Sequence, residues 1–207
     1  MKKGLFITFE GADGCGKTTQ IELLKTYLDK NNIASLLTRE PGSGDLGLKL
    51  REILLHYDKP IADNAEVFMY LADRAQHTEY EIVPFLNKGG VVLCDRFIDS
   101  TISYQGYGRG LDINMLENLN NIATKGLKPD LTIVFDIDTK IAQNRINKRC
   151  DKKDRLEEEG LEFHKKLRTG YLEIAKKNPD RIKVINADDS IENIHKKVME
   201  LFLEIKK

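Results

Sequence analysis

The segment FEGADGCGKTTQ, Phe9–Gln20, combines three glycines, a lysine and two threonines. Within it, Gly11-Ala12-Asp13-Gly14-Cys15-Gly16-Lys17-Thr18 fits the spacing GxxxxGK[ST]. Glycines at these positions let successive backbone N–H groups converge on phosphate oxygens, and a helix starting at the lysine adds a favourable dipole. The loop, extended by Thr19, is therefore read as the cradle of a nucleotide triphosphate. Lys17 reaches toward the β- and γ-phosphates, and the Thr18 hydroxyl joins the shell of a Mg²⁺ ion. The motif does not name the reaction, because GTPases, ATPases and small-molecule kinases all use such a loop.

The remaining chemistry-bearing residues narrow the choice. Arginines recur near the ends of apolar runs and on helical stretches: Arg39, Arg51, Arg74, Arg96 and Arg109. Any one of them reads equally well as half of a surface ion pair. Several guanidinium forks converging on one crevice instead suit a second, phosphorylated substrate, since each binds phosphate in a bidentate way. There is no NKxD-type guanine signature.

These groups need a scaffold that brings distant segments together. Short apolar runs at Leu5–Phe9, Ala34–Thr38, Val91–Cys94, Leu131–Phe135 and Ile182–Ile185 have strand length. Helical patterns lie between and after them, at Thr18–Asn31, Leu46–His56, Ala65–Asn87, Asn114–Lys125, Ile141–Lys148, Leu156–Lys177 and Ile191–Ile205. Strands alternating with helices imply an α/β fold with a parallel sheet covered on both faces. Ligands in such sheets lie beyond the carboxyl ends of the strands, so Glu10, Arg39, Asp95 and Asp136 face one crevice. The segment DSTISYQGYGRG, with Gly106, Gly108 and Gly110, reads as a flexible loop.

At 207 residues the chain suits one domain, and Lys plus Arg equals Asp plus Glu at 33 each, which provides no global field for nucleic acid. No apolar run has the length of a membrane span, and the start MKKGLFITFEG reads as a first strand rather than a secretion signal. Cys15, Cys94 and Cys150 form no CxxC pair, which favours a reducing compartment. A cytoplasmic protein with no nucleic-acid or membrane partner is expected.

Taken in order, FEGADGCGKTTQ, TREPGSG, YLADRAQH, CDRFIDSTISYQGYGRG and DKKDRLE resemble the signatures of the thymidylate kinase family of nucleoside monophosphate kinases, from residue 9 to residue 157. The resemblance implies a P-loop three-layer sandwich with a five-stranded parallel sheet, a single domain over 1–207 with a lid at about 145–157, and a homodimer. It also implies transfer of the γ-phosphoryl group of ATP, with Mg²⁺, to dTMP, giving dTDP and ADP for dTTP synthesis.

Carried over by residue, the resemblance sets Asp13 beside the acceptor phosphate and sugar 3′-hydroxyl, and Arg96 and Arg39 on the dTMP phosphate with Arg51 near them. Asp95 orients metal through water. Tyr70, standing where the family usually has phenylalanine, stacks on thymine, and Arg74, four residues on, donates to thymine O4 and so favours dTMP over dCMP. Ser100, Thr101 and Gln105 lie at the base edge, with Tyr104 under the deoxyribose. The loop carries Gly14-Cys15 where some members have arginine, so the lid must supply the catalytic cation. Arg155 is the expected one, with Arg145 and Arg149 as further adenine or phosphate contacts. Modification of Cys15 is expected to block ATP entry.

Overall fold

The structure, a computed structural model, describes residues 4–148 and 154–206. Five strands, β1 (Leu5–Glu10), β2 (Ser35–Arg39), β3 (Val91–Asp95), β4 (Leu131–Asp136) and β5 (Ile182–Asn186), pair entirely in parallel in the order β2-β3-β1-β4-β5. The register sets Phe9 opposite Asp95, and Arg39 opposite Asp95 on the other side, so the phosphate loop, the Asp95-Arg96 pair and Arg39 emerge side by side. The order reverses across β1, and the crevice there is where an open α/β sheet binds ligands.

Both faces of the sheet are buried, and alternate residues feed different cores. Ile7, Phe9, Leu93, Ile133 and Phe135 pack against Leu24 and Leu28 of α1 (Lys17–Lys30) and against Val198 and Phe202 of α9 (Ile191–Ile205). On the opposite face Phe6, Val92 and Cys94 meet Ile82 and Leu86, the latter in α4 (Val83–Asn87). Val134 there joins α3 (Asp63–His77), α6 (Ile113–Thr124) and α8 (Leu161–Lys177). The layering is the three-layer α/β arrangement that the alternating pattern predicts.

Helix starts follow local chemistry. Asp112 caps α6 by accepting from the Met115 N–H at 2.6 Å, and Asp138 caps α7 (Thr139–Asn147) through the Lys140 N–H at 2.9 Å. In contrast α1 begins after Gly16, whose left-handed backbone carries no capping side chain, leaving the first amides open toward the crevice.

Residues 98–108 form a helix, not a flexible loop: α5 (Ile98–Thr101) continues into a π-helical stretch, Ile102–Gly108. Gly108, and Gly170 on α8, allow close packing between this helix and α8. A Cβ at Gly108 would lie 2.7 Å from the Phe163 ring, and one at Gly170 would lie 2.9 Å from the Tyr107 ring. The long helix expected over Ala65–Asn87 is also interrupted, passing from α3 through a π-helical turn at Thr78–Ile82 into α4. The expected Leu156–Lys177 helix starts later, at Leu161. α2 (Gly44–His56) packs beside α3.

Candidate active site

The crevice is a cleft of about 320 Å³ between the phosphate loop, the ends of β2 and β3, α2, α3 and α5, with Asp154, Leu156 and Glu157 closing one side. Its floor is the phosphate loop. Gly14 takes φ +78°, and a Cβ there would lie 2.6 Å from the Ala142 carbonyl, so only glycine lets the loop turn this tightly against α7. Lys17, almost fully buried, folds back to donate to the Gly11 and Ala12 carbonyls at 3.1 and 3.2 Å, which holds its ammonium within the loop. Thr18 faces the cleft, whereas Ala12 lies on the far side of the loop near Asp136 and Arg168. Gly16 and Thr19 are exposed at the start of α1.

Cys15 does not behave as a reactive thiol. It is buried in the core beneath the loop, and burial pushes its thiol pKa upward, so the expected sensitivity of ATP entry to its modification is withdrawn.

Arg96 is the centre of the site. It follows β3 with φ +73°, an uncommon conformation for a side-chain-bearing residue that turns its guanidinium back across the sheet end. One terminal nitrogen donates to Asp13 Oδ1 at 2.6 Å. The other donates to the Gly11 carbonyl at 3.1 Å, the Ser100 hydroxyl at 3.3 Å and the Tyr171 hydroxyl at 3.1 Å. The Tyr104 ring lies 5.0 Å beneath the guanidinium and its hydroxyl donates to Asp13 Oδ2 at 3.1 Å. Burial alone would raise the Asp13 carboxyl, but Arg96 and Lys17 outweigh it and hold Asp13 well below the usual carboxylate range.

Two more cations flank this centre. Arg39 is exposed at the end of β2 and has no hydrogen-bond partner among the described residues. Arg51 donates to the Pro41 carbonyl at 2.8 Å, and burial together with the neighbouring Arg39 charge lowers its pKa. Two guanidinium groups that repel each other across a cleft are poised for an anion. Asp95 sits opposite them, and its Oδ1 is buried with no hydrogen-bond partner among the described residues.

At the other end of the cleft, Tyr70 and Arg74 line one wall, as their spacing on α3 predicts. Burial, then Glu66, pushes the Tyr70 phenol above its ordinary range. Arg74 is 2% exposed and heavily engaged. It donates to Glu40 Oε2 at 2.7 Å, to the Thr101 hydroxyl and Asn120 Oδ1 at 2.6 Å each, and to the Phe97 carbonyl at 2.9 Å. These bonds use four of its five N–H groups. Glu40 in turn accepts from Arg74 and pairs with His77 Nδ1 at 2.8 Å, and His77 Nε2 meets the Thr38 hydroxyl at 2.8 Å. Nothing in the TREPGSG segment alone indicated that its glutamate holds Arg74.

Several expected base-edge groups are turned inward. The Ser100 hydroxyl donates to Glu10 Oε2 at 2.6 Å, and Thr101 serves Arg74. Gln105 lines the cleft while its amide nitrogen donates to Glu66 Oε1 at 2.8 Å, which leaves its carbonyl oxygen for a ligand. Glu10 itself, expected only to point toward the crevice, is fully buried. Tyr171 was not singled out from the sequence, because it lies 75 residues from Arg96 in a helix whose apolar stripe reads as core.

The lid expectation changes most. Arg155 does not line the cleft. Its guanidinium pairs with Glu66 and donates to the Leu54 carbonyl at 3.1 Å, and its N–H donates to the Leu55 carbonyl at 3.2 Å. The buried carboxylate of Glu66 draws Arg155 onto α3, away from the phosphate loop. Arg109 is drawn the same way, pairing with Glu159 above the Phe163 ring. Among the described residues of this segment, Arg145 on α7 reaches the loop, donating to the Gly14 carbonyl at 3.4 Å. Arg149 lies outside the described residues.

Comparison with known proteins agrees with the ordered segments. The thymidylate kinase family model matches residues 9–198. A thymidylate kinase from Nostoc sp. is 47% identical over 202 residues, covering 96% of this chain and 95% of that protein. Another from Carboxydothermus hydrogenoformans is 46% identical over 204 residues, covering 99% and 96% respectively. The crystal structure of thymidylate kinase from Ehrlichia chaffeensis superimposes with a TM-score of 0.79 at 36% identity, covering 97% of this chain and 99% of that one. With a cleft that joins a phosphate loop to an arginine-lined wall, and with matches along almost its whole length, this chain belongs to the thymidylate kinase family.

Proposed function

We propose that the protein transfers the γ-phosphoryl group of ATP to dTMP, giving dTDP and ADP. The observation that carries this reading is the 2.6 Å bond between Asp13, in the ATP-binding loop, and Arg96, on the acceptor side. It joins the two substrate sites at one point. Phosphoryl transfer depends on positioning and charge neutralisation rather than on a protein nucleophile, and the residues present supply both.

In this assignment the loop amides from Gly11 to Thr19 and the Lys17 ammonium hold the ATP phosphates. Arg96, Arg39 and Arg51 hold the dTMP phosphate, and Asp13 orients the acceptor. Tyr70 stacks on thymine, Tyr104 lies below the deoxyribose, Ser100 and Thr101 shape the inner wall, and the Gln105 carbonyl accepts from the base. The remaining Arg74 N–H faces thymine O4. Because four of its five donors are fixed by protein, Arg74 cannot turn to suit an amino group, and dCMP is disfavoured.

The orphaned Oδ1 of Asp95 and the Thr18 hydroxyl border the same cleft, a sparse oxygen donor set that fits Mg²⁺ retaining its waters. Thr18 and, through water, Asp95 would hold the ion, which would supply charge neutralisation for phosphoryl transfer. Arg145 is assigned as the cation of the lid segment nearest the transferred group. Arg155 could take that role only by leaving Glu66, and Arg149 remains a further phosphate contact of the proposal.

The whole chain is read as one kinase domain with its lid at about 145–157, working in the cytoplasm; no helix among the described residues is long and apolar enough to cross a membrane. A homodimer through α3 and α6 is also proposed. It is supported by Phe68 and Ile122, which are 59% and 72% exposed on those helices. Sedimentation equilibrium tests it. A coupled ADP assay across dTMP, dUMP, dCMP and dGMP tests the activity. Preference for dCMP or dGMP, or ATP hydrolysis independent of any monophosphate, would overturn the reading.

A further inference from the structure

Behind the acceptor arginine lies a buried carboxylate that the transfer reaction does not use. Glu10 ends β1 with 0% exposure. Its Oε1 accepts from the Phe97 N–H at 2.7 Å, while its Oε2 accepts from the Ser100 hydroxyl at 2.6 Å and the Tyr171 hydroxyl at 3.0 Å. Ser100 and Tyr171 are themselves 2.9 Å apart, so three oxygens form a closed triangle. Both hydroxyls then accept from the same Arg96 nitrogen. Glu10 thus holds two of the acceptors that aim the guanidinium, without bonding to it.

We propose that Glu10 is the positioning residue for Arg96, aiming it through the Ser100 and Tyr171 hydroxyls, and that Glu10 gains proton occupancy when the acceptor phosphate binds. The proposal rests on the assignment of Arg96 to that phosphate.

The proton balance of the triangle permits this. With Glu10 ionised, two hydroxyl protons serve three oxygen–oxygen contacts. With Glu10 as the acid, a third proton completes a cycle in which each oxygen donates once and accepts once, and both hydroxyls can still accept from Arg96. Neither state strands a buried group. The step is a carboxylate plus a proton giving a carboxylic acid, with solvent in the cleft as the source and Ser100, which lines the cleft, as the path.

The surrounding charges favour uptake. Asp99 on α5 faces Glu10, with Arg181 bound to Asp99 at 2.7 and 2.8 Å; Arg96 is the cation on the cleft side, and from α8 the Tyr171 phenol faces Glu10. Burial and then Asp99 already raise the Glu10 pKa to about 7. A phosphate dianion on Arg96 cancels the charge that favours the carboxylate, so binding raises it further. Linkage then requires acceptor affinity to weaken as pH rises above about 7.

The test is titration calorimetry of monophosphate binding at pH ~7.5, using whichever monophosphate the specificity assay selects, in two buffers of different ionisation enthalpy. The wild type is expected to take up a fraction of a proton. Glu10→Gln should lose that uptake and raise the monophosphate KM ~10-fold, with the ATP KM nearly unchanged. Tyr171→Phe, which removes one link of the relay, serves if the glutamine variant does not fold, and should raise the same KM by several-fold while shifting the uptake. Equal proton stoichiometry and equal monophosphate KM in the wild type and a folded variant would overturn the proposal. Failure of the wild type to use any monophosphate would instead overturn the kinase reading.

Discussion

Arg96 and Asp13 are bonded at 2.6 Å across the gap between the end of β3 and the phosphate loop, two segments separated by 83 residues. The relationship predicts a selective lesion. Arg96→Ala should lower kcat/KM for dTMP by ~10² to 10³, because a charge-assisted fork on phosphate is lost, while the ATP KM changes little. Arg96→Lys should recover only part of this, since an ammonium cannot reach Asp13 and a phosphate together. An ATP KM that rises as much as that for dTMP would show that Arg96 belongs to the donor site.

Arg145 and Arg155 separate by partner. Arg145 touches the phosphate loop, so Arg145→Ala should reduce kcat by ~10³ or more, within the range lost with a cation on a transferring phosphoryl group. Arg155→Ala should cost under ~10-fold in kcat and instead loosen residues 154–160 from α3, read as faster amide exchange there. The reverse ranking in single-turnover kinetics would return the catalytic role to Arg155.

Arg74 is structural before it is selective. Arg74→Ala removes the guanidinium from buried Glu40, which keeps its His77 contact, and leaves Asn120 Oδ1 without that donor, so urea unfolding should show a loss of about 3–5 kcal/mol, the cost of leaving one partner of a buried pair. A loss below ~1 kcal/mol would mean that solvent reaches Glu40 readily. For the same reason, altered base preference in Arg74 variants is interpretable only where the fold survives.

The ionisable groups give stability a pH dependence of mixed sign. Glu10 and Asp73 have folded-state pKa values raised by burial to about 7 and about 6, Asp99 adding to the first and Glu40 to the second. Their contributions are complete below their unfolded pKa values and are lost as pH rises through those folded values. Asp13 is depressed, so its contribution is present above its unfolded value and lost only as pH falls toward strong acid. The melting temperature of the ligand-free protein should therefore decline from pH ~5 to pH ~8, and Glu10→Gln should flatten the upper part of that decline. A melting temperature that rises steadily over this range would contradict the assignment.

The strands were legible because five short apolar runs between helical patterns allow little but a parallel sheet, and the observed bounds differ from those runs by a residue or so. The cradle was legible too, since GxxxxGK[ST] is local and its backbone geometry follows from its own glycines. Residues 98–108 misled because glycine has two uses, freedom of the backbone and room for a neighbour. Only the positions of the Phe163 and Tyr107 rings reveal the second.

What the sequence alone determined about this protein was therefore the fold class and the phosphate loop. Tertiary structure decided which arginine meets which carboxylate. Arg74 went to Glu40 and Arg155 to Glu66, carboxylates that the packing buries and leaves in need of a cation, while Arg96 met the partly exposed Asp13 where β3 ends beside the phosphate loop. Burial makes an unpaired charge costly, and burial is a property of the assembled layers that no local spacing encodes.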